Sequence, residues 1–363
     1  MAVTVEQIGE ALSTSVCCLF AQRMYNVDGS AFEQAIATSE DMGDLASTFV
    51  KAAGLLETAT WREIEETWRS NFAVMEGTAA SKGLKIDTLI TNAAVETAKK
   101  KVAAAYEPLH EAKDVYLVTY SGEYQDITTT WRTMQAEAAR TFDTTAEDWM
   151  QSYTDTLARK GVGVSIGDSG VRDIAGAVRS YALESKFAYS DDICREAALS
   201  VGMDAAQVSV HGSCAPDHLP YQGHVYKLTE LDRINETISR PIGRGVMNCR
   251  HTLLYCYADS LSTYSEDELQ GFADDSNRLV SYKGRSGKTL TSSWYEATQY
   301  VRSSEVNIRK LKQTRYIKSA AGLDTTSITA SIEKAEEKYE DLCDELGLRA
   351  STERTTAYKV ADL

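Results

Sequence analysis

The chain has 363 residues, 43% hydrophobic and 25% charged, a composition ordinary for a globular protein of two or three domains. Its formal net charge of −15 excludes the broadly basic surface that wrapping DNA requires, although a local basic strip is compatible with it. No stretch reaches the roughly 18 uncharged apolar residues of a membrane span, and Met1–Phe20 has no basic segment ahead of its apolar stretch, so neither a membrane contact nor a signal peptide is expected.

From Trp61, apolar residues recur at Ile64, Trp68, Phe72 and Met75, the spacing of one helix face. Val95, Ala98, Val102, Ala105 and Leu109 repeat the pattern, with Pro108 near its end. Trp131, Met134, Ala138 and Phe142 repeat it again, followed by Trp149, Tyr153 and Leu157. This periodicity assigns the tryptophans to helix cores rather than to a ligand cage. Residues 161–170 (GVGVSIGDSG) break the pattern. Val171–Tyr189 then reads as a helix capped by Asp168 or Ser169, and Gln207–His211 alternates like a short strand. Ser292–Lys318 reads as a long helix. In the last helix Ile328, Ile332, Ala335, Tyr339, Leu342 and Leu346 form the apolar face, Glu333, Lys334, Glu336, Glu337, Lys338 and Asp341 a solvated one, and Gly347 the stop.

The fold class expected is therefore α+β: a helical N-terminal domain over 1–160, a small mixed middle domain over 161–290, and C-terminal helices over 291–363. The apolar stripes of the first and last parts exceed what the small middle domain can cover, so helix packing within the chain or onto neighbours is expected.

Seven cysteines, an odd number without a secretion signal, read as reduced thiols. The run Gly284–Thr289 (GRSGKT) ends like a phosphate-binding loop, but the position that needs the first glycine is Tyr282, so nucleotide binding is not expected.

One stretch differs in kind. Three of the four prolines (Pro216, Pro220, Pro241) and four of the five histidines (His211, His218, His224, His251) lie between residues 211 and 251. It holds H-G-S-C-A-P-D-H-L-P-Y-Q-G-H, then R-G-V-M-N-C-R-H. Pro216, Asp217, His218, Gln222, Gly223, Asn248, Cys249, Arg250 and His251 resemble the signature of the phage minor capsid protein 2 family, a relative of the Mu F-type head morphogenesis proteins. The resemblance extends upstream through Val171-Arg172 and downstream through Tyr295–Gln299 and Arg302; Ala215 stands where the family usually has arginine.

Three chemistries fit the cluster. Buried His and Asn side chains can hydrogen-bond loop backbone. Cys214, His218, Cys249 and His251 are four side chains of the type that structural zinc accepts, at spacings unlike common zinc knuckles. Two histidines can also act as acid and base, with Arg250 stabilising an oxyanion or phosphate.

The strip Arg302, Arg309, Lys310, Lys312, Arg315 and Lys318 has Glu305 as its sole acid and suits a solvated face, packaged DNA or an acidic portal surface. What the resemblance implies is a structural head morphogenesis protein associated with the portal or major capsid protein. Its expected location is the capsid interior or portal vertex, and the host cytoplasm during assembly. No catalytic residue is implied. The alternative is a nuclease-like effector packaged in the head.

Overall fold

The computed structural model describes residues 3–25, 39–111, 115–118, 122–126, 129–130, 145–166, 171–246 and 249–363. The Trp131–Phe142 repeat, the candidate caps Asp168 and Ser169, and Asn248 lie outside these residues. The α+β expectation is met: among the described residues helices dominate, and three small antiparallel sheets accompany them. Among the described residues no helix is long and apolar enough to cross a membrane.

The chain forms two compact units. The first gathers residues 1–57, 105–179 and 301–363. At its centre lies the helix Val5–Tyr25, whose Ile8, Ala11, Leu12, Val16, Cys17 and Ala21 are all buried. Apolar or small residues on nearly every side make this a core helix rather than a surface one. Its sheet has the order β2-β1-β3-β4, with β1 (Val115–Val118) antiparallel to both β2 (Tyr124–Asp126) and β3 (Val162–Val164), and β3 paired with β4 (Arg172–Asp173). The helix Thr145–Lys160 presents Tyr153 and Leu157 to the core, and Tyr153 Oη donates to the Val118 carbonyl at 2.7 Å.

A buried ion cluster ties the first and last parts of this unit together. Arg309, on the helix Trp294–Ala320, is 6% exposed. Its Nε donates to Glu10 Oε2 at 2.7 Å, Nη2 to Glu6 Oε1 at 2.8 Å, and Nη1 to the Arg354 carbonyl at 2.6 Å. Burial pushes the Glu10 carboxyl up, and the Arg309 charge opposes it. The C-terminal tail closes on the helix Val5–Tyr25, where Val360 N donates to Ser15 Oγ at 2.8 Å. The helix Thr326–Glu345 buries Ile332, Tyr339, Leu342 and Cys343 and stops at Gly347, whose φ of 66° reverses the chain.

The second unit comprises residues 58–104 and 180–300. Here Ile64, Trp68 and Met75 of the helix Ser39–Ser81 are buried while Trp61 and Phe72 are half-buried, so the first apolar stripe faces the core through its middle and last members. Ser190 Oγ donates to the Ile64 carbonyl at 3.1 Å and Cys194 Sγ contacts the Trp68 carbonyl at 3.7 Å. The helix that follows the glycine-rich break spans Ile174–Ser200 rather than Val171–Tyr189. It starts later because Arg172-Asp173 pair with β3, and Asp173 Oδ2 caps it by accepting from Gly176 N at 3.0 Å.

A three-stranded sheet has the order β6-β5-β7, with β5 (Ala205–Val208) between β6 (Val225–Lys227) and β7 (Leu253–Cys256). The strand expected at Gln207–His211 thus starts two residues earlier and ends three residues earlier, at Val208. A separate hairpin pairs β8 (Leu279–Lys283) with β9 (Thr289–Ser293). Within this unit Tyr255 Oη donates to Asp191 Oδ1 at 2.6 Å, while Asp191 Oδ2 lies 3.3 Å from Arg244 Nη1 without hydrogen-bonding geometry.

Removing Arg309 leaves Glu6 and Glu10 without their buried cation. Breaking one side of such a pair costs about 3–5 kcal/mol. Arg309→Ala should therefore shift urea unfolding by roughly that amount, and an unchanged midpoint would show that the cluster does not hold the unit.

Asp191 gives a second expectation. Burial, outweighing Arg244 and Tyr255, raises its carboxyl to about 6 from 3.8. The folded state therefore holds this proton more tightly than the unfolded chain. The resulting stabilisation is complete below about pH 3.8 and is lost as pH rises through about 6. Relative to Asp191→Asn, wild-type stability should fall by about 3 kcal/mol between those limits. A difference that does not vary with pH would contradict this assignment.

Candidate functional site

Strand pairing assembles the histidine-rich stretch. Val208 of β5 pairs with Leu253 of β7, and the contact continues past the strand ends. Ser209 N donates to the Thr252 carbonyl at 3.0 Å, and Thr252 N donates to Ser209 Oγ at 2.9 Å. This register places His211, three residues after β5, beside His251, two residues before β7, with ring centroids 4.3 Å apart. The Pro216-Asp217 turn brings in His218, whose N donates to the Ala215 carbonyl at 2.9 Å. Gly223 closes the loop at φ 79°, its N donating to the Val208 carbonyl at 2.8 Å. A Cβ there would fall 2.1 Å from Leu269 Cδ2, so glycine is required on both conformational and steric grounds.

Four side chains meet in the interior. His218 Nε2 lies 2.7 Å from the Arg240 carbonyl. A carbonyl oxygen only accepts, so Nε2 carries a proton, and in the neutral ring Nδ1 then has the lone pair. His218 Nδ1 is 3.3 Å from His251 Nδ1, and Cys249 Sγ is 3.7 Å from the former and 3.6 Å from the latter. On the other side of the same ring, Cys214 Sγ lies 3.4 Å from His251 Nε2. Burial drives His251 down to about 3, so its imidazole is neutral, and raises the Cys214 thiol to about 12.

The four residues singled out as zinc ligands are thus adjacent but do not converge on one point. His251 faces His218 and Cys249 with Nδ1 and Cys214 with Nε2. Two overlapping trios result: His218, Cys249 and His251, and His211, Cys214 and His251. A tetrahedral ion with Zn–N of about 2.0–2.1 Å and Zn–S of about 2.3 Å separates its donors by about 3.3–3.6 Å. The first trio has these spacings. Without metal, the same atoms form a hydrogen-bonded chain from the Cys214 thiol through His251 and His218 to the Arg240 carbonyl.

The remaining motif residues surround this core. Asp217 forms a two-pronged pair with Arg240, including Nε at 2.8 Å, and its carboxyl lies below the ordinary range despite burial, because Arg240 bonds it. Gln222 is buried; its Oε1 accepts from His211 N at 3.4 Å. Pro216 and Arg250 are exposed. His218 and His251 are 2% and 1% exposed. A substrate cannot reach either ring from solvent without opening the loops.

Two participants are not among the candidate ligands read from the sequence. His211 carried a legible signal, since it opens the H-G-S-C run. Arg240 carried none, because its carbonyl acts through backbone position.

The basic strip is largely engaged inside the first unit. Besides Arg309, Lys312 pairs with Glu336 at 2.6 Å and Lys318 with Asp155 at 2.8 Å. The strip's sole acid, Glu305, is buried and accepts from Tyr339 Oη at 3.0 Å.

No curated protein and no solved structure matches the chain. The family profile described as Phage minor capsid protein 2 matches residues 23–344, most of the chain and all of the described cluster. A match of that extent includes the paired motifs and the helices on both sides of them, and on it the chain belongs to the phage minor capsid protein 2 family, as a structural component of the bacteriophage virion.

Proposed function

We propose that this protein acts during head assembly by docking at low copy number on the portal or the inner capsid surface, without turnover. The observation that supports docking is an exposed apolar patch. Leu84, Leu89 and Ile90, at the turn into the helix Thr88–His110, are 45%, 75% and 36% exposed. Lys82 Nζ bonds Asp259 at 2.8 Å, which draws in the loop carrying Leu261, at 91% exposure. Exposed apolar side chains near one another in the chain and across this ion pair are what a protein contact would cover. The burial of His218 and His251 weighs against the packaged-nuclease alternative. We assign the 302–318 strip to cohesion of the first unit rather than to DNA, because Arg309, Lys312 and Lys318 already neutralise carboxylates there.

For the His–Cys cluster we propose a structural role, with zinc seated on His218 Nδ1, Cys249 Sγ and His251 Nδ1 as a staple between the two loops. His218 would be oriented by its bond to the Arg240 carbonyl, as outer partners orient metal-bound histidines. Cys214, facing the opposite nitrogen of His251, would fix that ring.

Docking is tested with the paired substitution Leu89→Glu and Leu261→Glu in the full chain. Both residues are exposed, so melting should be unchanged while incorporation into heads falls at least tenfold. Normal incorporation would remove the patch from the argument, and cleavage of RNA or DNA by the purified wild type, lost in a normally melting His251→Ala variant, would replace assembly with catalysis.

The staple is tested by elemental analysis. Purified protein should carry about one zinc per chain and melt lower after chelation. His251→Ala should abolish the metal and lower stability, whereas Cys214→Ser should keep it. Metal-free protein whose melting ignores chelator would leave only the hydrogen-bonded chain.

A further inference from the structure

We propose that His251 bridges two metal ions: beyond the staple at Nδ1, a second zinc ion seats on His251 Nε2, Cys214 Sγ and the His211 imidazole. The proposal rests on the staple reading and extends it to the other face of the same ring.

The donor sets repeat across the ring. On the Nδ1 side stand one imidazole and one thiol, with His218 Nδ1 at 3.3 Å and Cys249 Sγ at 3.6 Å. On the Nε2 side stand again one imidazole and one thiol, His211 and Cys214, with Cys214 Sγ at 3.4 Å. The ligand atoms of this second trio lie within 4.8 Å of one another. A buried ring that served only to hold the loops needs one hydrogen-bond partner at Nε2, and the Cys214 thiol alone supplies it. The second imidazole goes beyond that need. With it, the trio has the nitrogen and sulfur donors that zinc takes.

The second trio is looser than the first. Donors around a tetrahedral zinc ion stand about 3.3–3.6 Å apart. The Cys214–His251 pair already has that spacing, so any adjustment falls to His211. Its ring is half-buried and stacks on His251 at 4.3 Å between centroids with a tilt of 39°. His218, in the first trio, meets the same ring at 5.1 Å and 62°. Two dications held on one five-membered ring also repel each other. The second ion therefore binds more weakly than the first, and protein purified without added metal keeps only the staple ion.

The proton balance sets the bridge apart from a casual second site. With one ion at Nδ1, the neutral His251 ring carries its proton on Nε2, facing Cys214 Sγ. The Cys214 thiol then turns its own proton to the Ala215 carbonyl, 3.4 Å away. The second ion forms bonds to Nε2 and to Sγ, and both protons leave to solvent. His251 becomes an imidazolate between two cations, His211 contributes a lone pair, and no electron is transferred. The first ion, by contrast, displaces only the Cys249 thiol proton, because His251 keeps its proton by moving it from Nδ1 to Nε2.

Equilibrium dialysis of the purified full chain against zinc, followed by elemental analysis, tests the bridge. The content should rise from about one to about two ions per chain. In weak buffer at about pH 8, where ordinary histidines are neutral, uptake of the second ion should release about two protons. Cys214→Ser and His211→Ala should each stop at one ion and keep the melting temperature of the one-ion wild type. His211 is half-buried, so its variant carries the test if the Cys214 variant fails to fold. The bridge is overturned, with the staple intact, if wild type stops at one ion. A second ion that His211→Ala retains, or that enters with release of a single proton, overturns it equally. Protein that carries no zinc and takes none up overturns the staple, and the bridge with it.

Discussion

A guanidinium that cannot be buried alone organises the first unit. Arg309 reaches the interior only because Glu6, Glu10 and the Arg354 carbonyl meet it there. An unpaired buried charge is strongly disfavoured, so the helix Trp294–Ala320 and the helix Val5–Tyr25 dock together or leave the cluster in water. Arg309 and Glu10 are 299 residues apart, so this contact requires most of the chain to be made before it can form. The same constraint explains the composition of the first helix. Enclosed on nearly every side, it admits Ala11, Leu12, Val16 and Ala21 around its surface and keeps carboxylates where Arg309 can reach them.

The second unit is ordered by strand register. Because Val208 pairs with Leu253, the residues just beyond β5 and just before β7 are forced side by side, and these are His211, Cys249 and His251. The loop from 209 to 223 must then double back within a few residues. Gly223 permits this, since any side chain at that point would overlap Leu269. The cluster is therefore a consequence of register plus one glycine, and both of its chemical states hold the loops together: a hydrogen-bonded chain of neutral groups or three donors around an ion.

How far the sequence was legible follows from what each feature depends on. Long helices with a repeating apolar face were readable because period 3.6 is local: Ile64, Trp68 and Met75 are core, and so are Ile332, Tyr339 and Leu342. The stop at Gly347 was readable because a left-handed C-terminal residue favours glycine. The strands were mostly not readable. They are two to five residues long, too short for alternation to stand out, and β4 takes the two residues that otherwise look like the first turn of a helix. Nor does any local pattern announce that three separated segments build one unit. In the cluster, His218, Cys249 and His251 were legible as residue types, but the split between the two nitrogens of His251 depends on ring orientation, which spacing does not encode. The basic helix drew attention because its cations are dense, yet density on a helix says nothing about carboxylates that approach from elsewhere.

That last point separates two basic elements by physical argument. A cation on a long amphipathic helix is within reach of every element that packs on the helix, and Arg309, Lys312 and Lys318 each find an acid. At the turn between β8 and β9, Arg285 instead packs over the Tyr300 ring of the helix Trp294–Ala320, with its N donating to Tyr300 Oη. In a chain with 53 acidic against 38 basic residues, packing tends to neutralise any cation it encloses.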